Sequence, residues 1–204
     1  VPIGLPTLQP VSWQRINDSI ESVRRRLLTA ASSLEKARVP CAVIGGNAVA
    51  AWVSRVDEAA VRNTRNVDLL IRREDLPLAI TAMEQAGYHH RRIASLGKGG
   101  TMDVFIEGPD GKVRDAIHIL FANEKVGPNT LEPSASVEES ENVGEFRLIS
   151  LAALIRMKLT AWRDKDRMHL RDLHSVGLLG PENLETVPPS LRDRLAYLLD
   201  NPED

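Results

Sequence analysis

Residues 40–47 read Pro40-Cys41-Ala42-Val43-Ile44-Gly45-Gly46-Asn47, and they restrict the fold more than any other stretch. Pro40 ends whatever helix precedes it, because proline carries no N–H and fixes its own φ. Four apolar residues then form a run of the length expected for a short buried strand. Two glycines permit a tight reversal from that strand into a helix opening near Asn47. Upstream, Ile16, Ile20, Val23, Leu27, Leu34 and Ala37 recur at helical spacing. They predict a long amphipathic helix over residues 12–38, interrupted by the basic cluster Arg24-Arg25-Arg26.

The alternation continues downstream. Residues 66–71 read as a second strand, 73–86 as a helix closed by Gly87, and 101–107 as a third strand. Pro109-Asp110-Gly111 is a turn signal of the kind that joins hairpin strands, which makes residues 115–122 the partner strand. Residues 123–144 hold Pro128, Pro133, several serines and Glu138-Glu139-Ser140-Glu141 without a sustained period, and read as a surface connection. Helices resume after Ser150, a suitable N-cap, with Leu151, Leu154, Ile155 and Leu159 as the apolar face. A further helix contains Leu170 and Leu173, and residues 190–199 form a short terminal helix after the breaks at Gly180-Pro181 and Pro188-Pro189. The whole is expected to be one α/β (α+β) domain over 1–204. Its parts are an N-terminal helix (1–39), a sheet core (40–125), a connection (126–147) and a helical C-terminal portion (148–204).

Composition narrows the functional classes. Apolar residues make up 43% and charged residues 26% of 204, with a formal net charge of -2, so no global attraction to nucleic acid or anionic lipid exists. A polyanion site must be local. The single cysteine, Cys41, cannot form an intrachain disulfide or a cysteine-rich zinc site. No apolar run reaches the roughly 20 residues that span a bilayer. A cytoplasmic location without membrane attachment is the default expectation.

A strand ending in glycines, a helix opening directly after them, and a neighbouring strand bearing an acidic residue together make a pocket suited to phosphates. Glycine lets the backbone approach an anion, and the amides of a helix N-terminus supply donors and partial positive charge. Gly45 and Gly46 fit that role, although a bare glycine pair also serves as an ordinary strand-to-helix turn. The run Arg62-Asn63-Thr64-Arg65-Asn66-Val67-Asp68-Leu69-Leu70 begins polar and ends as a buried strand. Strand alternation would put Asn66 and Asp68 on one face. Carboxylates at alternate strand positions can hold two magnesium ions for phosphoryl transfer, but here only Asp68 is a carboxylate.

Taken in order, Ile44-Gly45-Gly46-Asn47-Ala48 followed by Arg62-x-Thr64-x-Asn66-Val67-Asp68-Leu69 resembles the signature of the minimal nucleotidyltransferase superfamily. The helical stretch 151–159 and the runs Arg163-Asp164-Lys165-Asp166 and Leu170-Arg171-Asp172-Leu173 resemble the toxin-type, abortive-infection members. The resemblance spans residues 40–180. It implies a nucleotidyltransferase-like mixed β-sheet flanked by helices, with an NTP as substrate and Mg2+ or Mn2+ as cofactor. Gly45, Gly46, Thr64 and Lys158 would bind the nucleotide, and Asp68 would be catalytic and a metal ligand. Asn66 stands where the first aspartate of the pair is expected, and His118 where a third carboxylate is expected. A neutral amide holds magnesium less tightly than a carboxylate, and imidazole suits manganese, zinc or nickel better, or serves as a base. The acceptor of the nucleoside monophosphate would be a protein, an RNA or a small molecule, and an antitoxin is an expected partner. The alternative is a catalytically inactive member acting as a nucleotide- or partner-binding module. Nothing in the sequence sets the oligomeric state.

Each residue also has a plainer reading. Asp68 can also be read as an ordinary strand-end aspartate, Asn66 as a loop fixer, His118 as a core histidine bonded to backbone, and Lys158 as a solvated lysine. Asp103 and Asp115 are spare carboxylates nearby in sequence. Asp115 differs from His118 in strand parity, so only one of the two can face a site on a regular strand. Arg163, Lys165, Asp166, His169 and Asp172 form the mixed-charge pattern of a salt-bridged helical face. His89-His90-Arg91-Arg92 with Lys98-Gly99-Gly100 is the best local basic patch. It reads as a solvated loop or as an RNA-backbone contact.

Overall fold

The computed structural model describes residues 10–95 and 100–203. Ser12 caps the first helix, α1 (Trp13–Lys36), its side chain accepting from the Arg15 amide at 3.3 Å. Strand β1 (Cys41–Ile44) runs straight into α2 (Gly45–Ser54), and β2 (Val67–Ile71) returns antiparallel beside β1. A 3-10 turn and α3 (Leu76–Gln85) lead to β3 (Tyr88–Ser95), β4 (Gly100–Glu107) and β5 (Ile117–Phe121). Strands β6 (Ser140–Asn142) and β7 (Arg147–Ile149) precede α4 (Leu151–Ala161), α5 (Asp164–Ser175), α6 (Asn183–Thr186) and α7 (Arg192–Asp200).

The seven strands form one mixed sheet in the order β3-β4-β5-β2-β1-β7-β6, with β2 parallel to β5 and β1 parallel to β7. Alternation divides its side chains between two apolar layers. Val43, Leu69, Phe105 and Ile117 pack with Leu27, Leu34, Ala79 and Met83 under α1 and α3. Ala42, Ile44 and Leu70 pack with Val49, Leu154, Leu170 and Leu195 of the α2, α4, α5 and α7 layer. The α/β class with a mixed sheet, flanking helices and a helical C-terminal portion is therefore as expected. Trp52 of α2 donates to the Ile149 carbonyl at 3.0 Å, and Ser150 caps α4 by accepting from the Ala153 amide at 3.3 Å. Cys41 is buried inside β1, and burial pushes its thiol up to about 11, so it stays a protonated core residue. No helix among the described residues is long and apolar enough to cross a membrane.

Several expectations need correction. The basic run from His89 is not a loop. It belongs to the edge strand β3, paired with β4 along its whole length from Tyr88 to Ser95. His90 and Arg92 both engage Asp103, at 2.8 Å and 3.1 Å, so half of the patch is spent on a carboxylate only 3% exposed. Lys98 and Gly99 lie outside the described residues. The surface connection also supplies sheet: β6 falls inside it, and β7 adds to the β1 side. Asn66 and Asp115 both lie outside the strands assigned to them. Asp115 closes a 3-10 turn and its carbonyl accepts from Arg26, so strand parity does not govern where it faces.

Phe105 is fully buried at the centre of the α1/α3 layer. Phe105→Ala should cost about 3–5 kcal/mol by lost transfer energy and the cavity left behind. Urea unfolding of the two proteins reads that difference directly.

Candidate functional site

The site is built where β1 becomes α2. Ile44 is still extended, and Gly45, the first residue of α2, turns the chain with φ +69°. Register places Asp68 directly beside Ile44. A Cβ on Gly45 would lie 2.1 Å from Asp68 Oδ2, and one on Gly46 would lie 3.0 Å from Thr64 Oγ1. The two glycines are therefore needed for close approach as well as for conformation: Asp68 and Thr64 are seated against the turn. Asn47 Nδ2 donates to the Asn66 carbonyl at 2.7 Å and so ties the start of α2 to the loop before β2. No side chain caps the amide end of α2 among the described residues, which leaves its first N–H groups as donors for an anion.

Across β2 and β5, Asp68 and His118 are register partners, with His118 Nδ1 donating to Asp68 Oδ1 at 3.2 Å. Burial pushes the Asp68 carboxyl up, but the His118 hydrogen bond and the charges of His118, Lys165 and Lys158 outweigh it. The group ends below its ordinary value and stays ionised.

The helical layer closes the other side. Trp162 ends α4 in a left-handed conformation, φ 50°, and the reversal brings α5 back so that Lys158 Nζ meets Asp166 Oδ1 at 3.0 Å. Lys158 is 6% exposed and Asp166 0%. Arg163 adds bonds of 2.5 Å and 3.2 Å to the same carboxylate. Burial lowers the Lys158 ammonium from its ordinary value, against the pull of Asp166 and Asp68. Burial also pushes the Asp166 carboxyl up, but the Arg163 bond and the Lys158 charge leave it below the usual range. Arg62 grips Asp172 of α5 through two bonds of 3.0 Å, which fixes the loop that carries Thr64 against that helix. His169 sits among these charges with a buried Nδ1 that has no hydrogen-bond partner among the described residues, and burial and the Lys158 charge lower its pKa to about 4.

The fold thus brings together Gly45, Gly46, Thr64, Asp68 and His118. Asn66 borders the group through its main chain. Lys158 is neither solvated nor free, being bound to Asp166, although its charge reaches Asp68. Asp103 is excluded: its register partner is Ile119, one residue on from His118, so it faces the opposite side of the sheet. Arg62 and Lys165 are the contributors that the sequence did not single out. Arg62 stands two residues before Thr64, the one local hint; Lys165 reads in sequence only as part of a salt-bridged face.

A magnesium centre does not fit these residues. One carboxylate oxygen is engaged by His118 and the other lies against Gly45, while Mg2+ asks for several hard oxygen ligands in octahedral array. Among the described residues no three His, Cys, Asp or Glu side chains group so as to hold a metal ion.

Comparison of the folded chain with solved structures decides its architecture. The antibiotic-resistance factor ANT(2'')-Ia in solution is 18% identical with a TM-score of 0.52, over 89% of this chain and 95% of that one. An antigenic nucleotidyltransferase-like protein from Paracoccidioides brasiliensis is 16% identical with a TM-score of 0.53, over 90% of this chain and 89% of that one. The fold is the nucleotidyltransferase fold. A crystal structure of ANT(2'')-Ia in complex with adenylyl-2''-tobramycin matches as well, at 18% identity and a TM-score of 0.50, over 87% of this chain and 97% of that one. No family model and no curated protein sequence matches the chain. At these identities the nucleotidyltransferase likeness is one of architecture.

Two consequences of the geometry are measurable. Gly45→Ala should destabilise the protein more than Gly87→Ala. Both put a side chain at positive φ, a strain of about 1–2 kcal/mol, but only at Gly45 does the methyl also strike Asp68. Equal urea midpoints for the two variants would show that Asp68 is not seated on the turn. The second concerns His169, whose folded pKa of about 4 lies below the ordinary 6.5. The unfolded chain binds the extra proton over that window, so stability falls as pH drops from 6.5 towards 4. His169→Leu should flatten that fall in thermal midpoints, while an unchanged slope would place the ring in solvent.

Proposed function

We propose that this protein is nucleotidyltransferase-like in activity as well as in fold, binding a nucleoside triphosphate and moving its nucleoside monophosphate to an acceptor hydroxyl. The observation that carries the reading is the close seating of Asp68 and Thr64 on the Gly45-Gly46 turn, at the uncapped amide end of α2. Phosphate oxygens would lie on those amides and on the Thr64 hydroxyl. In the transfer the acceptor oxygen bonds to the α-phosphorus and the bond to the departing pyrophosphate breaks. The proton passes to the Asp68–His118 pair, which is the ionised carboxylate and imidazole nearest the turn. Positioning and fixed charge supply the acceleration. The acceptor is a protein, an RNA or a small molecule, in a toxin-antitoxin setting of the kind that the helical portion resembles, and the protein would act in the cytoplasm.

A second reading shares the pocket: binding of nucleotide without turnover. It is favoured by the single carboxylate, since the positions of the two others carry Asn66 and His118. Both readings require nucleotide to bind, and calorimetry with each NTP tests that first. Transfer is then read by incubating the protein and candidate acceptors with α-phosphate-labelled NTP. Asp68→Asn should abolish labelling while leaving the unfolding transition in place. Nucleotide binding with no label on any acceptor, and no pyrophosphate released, would establish the second reading.

A further inference from the structure

We infer that the site at the Gly45-Gly46 turn takes its nucleotide as the metal-free polyanion, with fixed side-chain cations occupying the electrostatic role of a divalent ion. This rests on the nucleotide-binding reading above.

Two independent features of the site point the same way. The first is the donor set. Asp68 is the one carboxylate seated on the turn; its Oδ1 is engaged by His118, and its Oδ2 lies where a Cβ on Gly45 would stand. Position 66 offers a neutral amide whose backbone fastens α2, and position 118 an imidazole already turned to Asp68. A hard divalent cation would gain a single anionic ligand there, beside a neutral amide and an imidazole.

The second feature is the surrounding charge. Lys158 and Lys165 both act on Asp68, and Arg163 and Arg62 are fixed on the same helix, α5, through Asp166 and Asp172. Four cations therefore face three carboxylates. Asp166 and Asp172 are each consumed by an ion pair, and Asp166 holds two cations at once. Lys165 is exposed on the first turn of α5 and holds no ion pair among the described residues. It is the cation free to meet a phosphate. Replacing two carboxylates by Asn66 and His118 removes the repulsion that a bare triphosphate would meet at an acidic centre, and with it the reason to neutralise that triphosphate by magnesium. Lys158, pinned by Asp166, contributes as a buried positive charge and not as a mobile ligand.

The test uses the full chain with ATP and with inorganic triphosphate, each titrated calorimetrically in excess EDTA and again in excess magnesium. The expected result is binding in EDTA at least as tight as in magnesium. Lys165→Met should weaken binding in EDTA about tenfold, the loss of one charge-assisted contact, with an unchanged unfolding transition because the residue is exposed. Manganese alone should not bind the wild-type protein. The double variant Asn66→Asp with His118→Asp, which restores the acidic set, should gain manganese binding and turn nucleotide binding metal-dependent. Binding seen only with magnesium or manganese would overturn this inference and leave the nucleotide reading intact. No binding of either probe under any condition would overturn both.

Discussion

Asp68 and Gly45 occupy space that only one side chain can fill. With Asp68 Oδ2 2.1 Å from where a Gly45 Cβ would stand, the strand-to-helix turn and the neighbouring strand are pressed together as closely as backbone allows. The consequences run outward from that contact. The register of β1 on β2 is fixed with Ile44 opposite Asp68, the first turn of α2 is held over β2, and Asn47 reaches the carbonyl of Asn66. Because β2 pairs in parallel with β5, the same register delivers His118 to Asp68. An apolar sheet buried on both faces supports this polar row, so its geometry is set by packing and not by the polar bonds themselves.

The second half of the site is assembled by a different device. Lys158 and Asp166 are taken out of water together, and such a pair is worth little net stability while loss of one partner typically costs about 3–5 kcal/mol. Its structural role is to fix orientation: it holds α5 folded back on α4 after the left-handed Trp162, and so fixes which face of α5 packs on α2. The Arg62 fork on Asp172 closes the loop on the other side. A packed apolar layer alone would tolerate rotation of α5 by a residue. Two directional ion pairs at its two ends would not.

What was legible in the sequence follows from the range of the interactions involved. The β1-turn-α2 unit, β2 and the helical cap at Ser150 depend on neighbours in the chain, and local apolar runs, glycines and a cap residue reported them. Gly45, Gly46, Thr64 and Asp68 could be brought together because one unit, the strand beside it and the short loop leading into that strand contain all four. Strand β3 could not be read: His89-His90-Arg91-Arg92 has no apolar alternation, and it is a strand because β4 pairs with it rung by rung and Asp103 hydrogen-bonds two of its side chains. Strands β6 and β7 are three residues each, below the length at which a period shows, and exist by pairing at the far edge. The same holds for charge. Lys158 in sequence is a lysine following an apolar face, and only the turn at Trp162 reveals that Asp166 is its partner.

Shape and charge are therefore carried by separate parts of this molecule. The form of the site rests on two glycines and the apolar layers. Its charge rests on α5 and the residues paired with it, which set Lys158 and Lys165 near a single carboxylate paired with His118. Side-chain changes at 66 and 118 can alter the charge beside Asp68 without disturbing the sheet, because Asn66 acts through its carbonyl and His118 lies on a strand set by its apolar neighbours Ile117 and Ile119. That separation explains how a chain can keep the nucleotidyltransferase architecture while a single carboxylate, paired with an imidazole, stands at the turn.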